Sequence, residues 1–151
     1  MTAASTLLAA PSSPNAMALR LGYLALLPFV LGAALVWGVR SDAHPHATAA
    51  LSAYAAVVAA FIGAIHWGLA MREPQPEPRL FVWGVVPAMV AWVAVLMPPD
   101  AGLVIHGAML VLCYLVDRKV YPARGVAAWL TLRFRLSVVA SLSCFVGAAG
   151  S

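Results

Sequence analysis

Five stretches of this 151-residue chain are apolar and nearly free of charge over lengths that match the thickness of a bilayer, and nothing else in the sequence restricts the fold as much. A spanning helix needs about 20 predominantly apolar residues, with roughly 17 to 25 observed. In lipid every backbone N–H and C=O must be satisfied from within, so such a run closes into a helix. The stretches cover 19–39, 47–71, 80–97, 101–116 and about 130–150. They predict an all-α, polytopic transmembrane helix bundle with five spans, forming one domain over 19–151. Composition points the same way. With 64% hydrophobic and 9% charged residues, the chain has too little polar surface to coat a soluble globule.

Two spans are short. The fourth lies between Pro98, Pro99 and Asp100 on one side and Asp117, Arg118 and Lys119 on the other, so its terminal charges are expected to reach the interface by extending along the helix. For the fifth, Arg133 stands 18 residues before Ser151, about 27 Å of helix at 1.5 Å per residue. Arg133 and Arg135 therefore belong at one membrane face, with Trp129 in its aromatic belt.

Threading five spans alternately collects Arg20, Arg72, Arg79, Arg118, Lys119, Arg124, Arg133 and Arg135 on one side and leaves only Arg40, of nine basic residues, on the other. Basic residues accumulate on the inner side, so the N-terminus is expected inside and the C-terminus outside. The net charge of +4 is spread between apolar runs and forms no patch, so no nucleic-acid partner is indicated. Residues 1–18 contain no basic residue, which argues against a transit peptide and against a secretory n-region, and they are read as a disordered cytoplasmic tail. The segment "REPQPEPR", 72–79, alternates proline and makes a short, stiff connection.

Helical spacing then sorts the polar residues by direction. In the second span Ser52, Ala56, Ala59, Gly63, His66 and Ala70 share a face of small residues, the kind that packs helix on helix in lipid, so His66 is expected to look into the bundle. In the fourth, His106, Leu110, Cys113 and Asp117 share a stripe, with Tyr114 beside it. In the fifth, Arg133, Ser137, Ser141, Cys144 and Ala148 form one face and Arg135, Val139, Leu142 and Val146 another. Arg133 should therefore turn toward neighbouring helices and Arg135 toward lipid headgroups.

The candidate site is a buried polar network of His66, Asp117 and Arg133, with Tyr114 as a possible fourth member, near the inner face. Ionisable residues within a membrane are costly and point to function by default, and a carboxylate holding an imidazole suits proton transfer or the orientation of a base. The structural alternative is an ion pair between Asp117 and Arg133 that locks two helix ends, with His66 in an interhelical hydrogen bond. A metal site has weaker support: His44 and His46 flank Pro45 in the first outer loop, and His106 lies near the outer end of the fourth span. Solvated loop histidines explain that pair better, so no metal and no cofactor are assigned. Motifs for nucleophilic, zinc-dependent or nucleotide-dependent catalysis are missing, and Cys113 and Cys144 lie in apolar runs without metal-ligand or disulfide spacing.

Taken in order, "LGYLALLPF" (21–29), "IGAIHWGLAM" (62–71), "VVPAMVAW" (85–92), "YLVDR" (114–118) and "WLTLRFRLSVVASLS" (129–143) resemble the membrane-protein family catalogued as domain of unknown function 3429, the transmembrane protein 69-like family. The resemblance implies a small multi-pass protein of a bacterial inner membrane, or of the mitochondrial inner membrane in a eukaryote. It brings no activity, substrate or catalytic residue with it. Three functions stay open: a non-catalytic factor that binds or helps assemble another membrane component, a proton-coupled small-solute transporter unit, and a membrane enzyme acting on a lipid or quinone at the inner interface. Small size and the missing catalytic motifs favour the first. Its expected partners are the lipid bilayer and either a membrane protein or further copies of the chain.

Overall fold

The computed structural model describes residues 13–151, which form an all-α bundle with no strand among them. Six helices follow in order: α1 (Ala16–Leu24), α2 (Leu27–Gly38), α3 (His44–Ala70), α4 (Pro78–Val95), α5 (Pro99–Ala123) and α6 (Leu130–Ala149), the last entered through a 3-10 turn at Ala127–Trp129. Helices α1 and α2 together make one membrane-length segment, so five segments are long and apolar enough to cross a bilayer: Ala16–Gly38, His44–Ala70, Pro78–Val95, Pro99–Ala123 and Ala127–Ala149. Of the expected tail, residues 1–12 lie outside the described residues and 16–18 belong to α1. The side chain of Asn15 caps that helix, accepting from the Ala18 N–H at 2.8 Å.

Proline placement explains several helix starts. Pro28, Pro45, Pro78 and Pro99 each fall at the first or second position of a helix, where a missing N–H removes no intrahelical bond. At Pro28 the first span is divided into two helices, because the chain turns at Ala25 and Leu26 between α1 and α2. The Ala25 carbonyl at this break accepts from the Tyr54 hydroxyl on α3 at 2.9 Å, the kind of partner that an exposed backbone group requires in lipid. Pro45 likewise starts α3 early, so His44 and His46 occupy its first turn and are not loop residues.

The fourth span also runs further than charge alone indicated. Helix α5 continues through Asp117, Arg118 and Lys119 to Ala123, because the charges end the apolar run without interrupting the helix. It closes in a Schellman turn: Gly125 takes the left-handed conformation at φ 72°, its N–H reaches the Pro122 carbonyl, and the Val126 N–H reaches the Tyr121 carbonyl at 3.0 Å. This tight reversal sets α6 antiparallel to α5 and brings Arg133 back beside Asp117.

Helix α3 is central and packs against α2, α4, α5 and α6. Its contact with α4 depends on two glycines, since a Cβ on Gly63 would overlap the Gly84 carbonyl oxygen. Leu51 fills the spaces over Gly32 and Gly147. Such close packing, and not the expulsion of water, holds helices together in lipid. Around it, large side chains such as Phe61, Trp37 and Leu96 are more than half exposed, as a lipid-facing surface requires. At the end rich in basic residues, Arg124 bridges Glu73 and Glu77 and clamps the connection from α3 to α4. At the opposite end Trp37 donates to the Val146 carbonyl at 3.0 Å and His44 Nε2 to the Gly150 carbonyl at 2.7 Å.

Candidate functional site: a buried polar cluster beside an apolar cavity

Three helices each contribute one residue to a cluster near the basic end. His66 comes from the small-residue face of α3, Asp117 from the stripe of α5 that also buries His106, Leu110 and Cys113, and Arg133 from the start of α6. His66 and Asp117 are fully buried and Arg133 is 7% exposed. The guanidinium approaches the carboxylate side-on, with Nε donating to Oδ2 at 2.8 Å and Nη2 lying 2.7 Å from the same oxygen. Oδ1 is left to face His66 Nε2 at 3.3 Å. A carboxylate only accepts, so an imidazole that bonds to it does so through Nε2–H.

The aromatic surroundings orient the imidazole. Trp83 meets His66 edge-on and Tyr121 lies at an angle to it, each with ring centroids 6.4 Å away. Tyr121 is 3% exposed. Tyr114 stands apart: it is half-buried and packs on Phe134, with ring centroids 5.4 Å apart. The place beside the trio that the sequence suggested for Tyr114 is taken by Tyr121, one turn beyond Asp117 on the same stripe. A further i to i+4 step from Asp117 lands on position 121, so the signal was present in the sequence. It is missed when the span is ended at the charge run.

Beside the cluster lies a cavity of about 580 Å³ bounded by α1, α2, α3, α5 and α6. Leu21, Phe29, Ile62 and Leu110 supply apolar wall, while Tyr121, Arg133 and Ser137 present polar groups. Arg72 and Trp129 line it at the basic end. Between Tyr121 and Leu110 it extends along eleven residues of α5, about 16 Å, or roughly half of a ~30 Å hydrocarbon core. Its cover is α1, which buries none of its own residues and is tied to α6 by the exposed bond from Arg135 Nη1 to the Tyr23 hydroxyl at 3.0 Å. His66 does not line the cavity, whereas its neighbours Tyr121 and Arg133 do.

The other sequence candidates are dispersed. His106 is fully buried and pairs through Nε2 with Ser52 Oγ at 3.2 Å. His44 is bonded to the Gly150 carbonyl, whereas His46 is exposed. These histidines do not converge, and no group of three or more His, Cys, Asp or Glu side chains among the described residues is arranged to hold a metal ion.

Comparison with known proteins matches residues 14–149 to the family model described as protein of unknown function (DUF3429). Transmembrane protein 69 of Xenopus tropicalis is 35% identical over 135 residues, an alignment that takes in 83% of this chain and 53% of the relative. The chain thus spans about half the length of that curated relative. No solved structure matches.

Proposed function

Because this chain belongs to the DUF3429 family of membrane proteins, we propose that it works as a non-catalytic membrane factor that receives an apolar chain of another membrane component in the cavity beneath α1. The observation that carries the reading is the cavity itself, whose apolar wall runs about half a bilayer deep from a polar end. Its volume of about 580 Å³ falls within the range of roughly 300 to 1,000 Å³ typical of small-molecule sites. The basic end is assigned to the cytoplasmic side, in keeping with the distribution of Arg and Lys.

The cluster supports binding over chemistry. A general base must come within hydrogen-bond reach of the proton it removes, directly or through one water. His66 is fully buried and does not line the cavity, so it serves to hold Asp117 and, through it, the position of Arg133 in the cavity wall. A proton path across the bundle is likewise disfavoured. Between His66 and the His106–Ser52 pair the packed faces of α3 and α5 offer Ala59, Leu110 and Cys113, with a thiol as the only polar group among the three.

The test is to purify the chain from its own membrane in mild detergent and to quantify by mass spectrometry what stays with it. A chain-bearing component at a stoichiometry near one is expected, with loss of it in Ala18→Trp, which fills the cavity from α1. No such component, or undiminished retention by Ala18→Trp, would contradict the reading.

A further inference from the structure

We propose that the cavity selects an anionic phospholipid of the leaflet at the basic end, with one acyl chain in the cavity and the phosphate at Arg72 and Arg133; this rests on the binding function proposed above. The polar lining has one sign. Two arginines, a tyrosine and a serine line the cavity, together with the indole of Trp129, and no carboxylate does. These groups are graded into α6: Trp129 in the turn before it and Arg133 in its first turn come first, Ser137 follows, and Ala140 closes the apolar depth. An amphiphile with its charge at the interface and its chain in the hydrocarbon matches that gradient.

Both arginines have donors to spare. Arg72 is exposed and forms no ion pair among the described residues, because the two carboxylates of the neighbouring connection, Glu73 and Glu77, are both engaged by Arg124. In Arg133, Nε donates to Asp117 Oδ2, whereas Nη2, 2.7 Å from the same oxygen, makes no hydrogen bond of its own among the described residues. A phosphate takes up donors of this kind through charge-assisted hydrogen bonds. Trp129, in the turn that enters α6, suits the headgroup level, where indole rings of membrane proteins collect.

The experiment reconstitutes the full chain in nanodiscs of equimolar phosphatidylglycerol and phosphatidylcholine, then weighs by native mass spectrometry the lipid that remains after release from the disc. One phosphatidylglycerol per chain is expected. Arg72→Gln should lower the preference for it about fivefold, the effect of one near-surface cation on an anionic lipid. Arg118→Gln, an exposed cation outside the cavity lining, should leave the preference unchanged. Equal retention of phosphatidylcholine, or an equal effect of Arg118→Gln, would overturn the anionic selection and leave a cavity that accepts any lipid chain. Wild-type protein that retains no lipid at all would overturn the binding function together with it.

Discussion

Asp117 and Arg133 are joined through a single carboxylate oxygen, Oδ2, so that the second oxygen remains directed at His66 on a third helix. One side chain thereby ties α3, α5 and α6 together at the basic end of the bundle. The same contact holds Arg133 in the wall of the cavity.

Removing Arg133 therefore strands a fully buried carboxylate, whereas removing Arg135 loses only an exposed bond to Tyr23. Breaking a buried pair by taking away one partner costs about 3 to 5 kcal/mol in soluble proteins, and hydrogen bonds between membrane helices average nearer 0.6 kcal/mol. Unfolding measurements on Arg133→Ala should give a loss between these limits, and those on Arg135→Ala no resolvable change. Equal losses for the two variants would show that the pair does not lock the helices.

His66→Ala separates structure from chemistry. In the binding account the imidazole supports Asp117 and packs against Trp83, so stability and complementation of a host lacking the protein should fall together. Normal thermal stability with lost complementation would assign His66 a chemical role.

The glycines of α3 give an internal control. A Cβ on Gly63 collides with the backbone of α4, and overpacking of this kind costs about 1 to 3 kcal/mol. Gly68 has nothing within 4 Å of the same position, so Gly68→Ala should be neutral or stabilising, by at most about 1 kcal/mol. Melting temperatures of the two variants that fail to separate would contradict the close α3–α4 approach.

Cysteine labelling reads the orientation. Cys113 and Cys144 are fully buried, which leaves introduced cysteines as the reactive ones. In intact cells an impermeant maleimide should modify Ser41→Cys and spare Gln75→Cys until the membrane is opened. The reverse pattern would invert the assignment of the basic end.

Much of this molecule is legible in its sequence because lipid enforces simple rules. Charge-free length marked the spans, and the helical repeat placed His66, Asp117 and Arg133 on faces that the fold buries. Where the reading fell short, a local signal was competing with a distant contact. Pro28 alone does not reveal that Tyr54, on another helix, will take up the Ala25 carbonyl and permit a break. The charges after Val116 masked the continuation of α5 that seats Tyr121 beside His66. The cavity arises from the way five helices fail to meet, which no single segment encodes.

An experimental structure of the chain in lipid nanodiscs tests the central claim most directly. The expected result is elongated density in the cavity between α1 and α6, ending near Arg72 and Arg133, with His66 enclosed behind Asp117. A bundle in which α1 closes down on α3 and α6 and leaves no space for a chain, or in which His66 turns toward lipid, would contradict it.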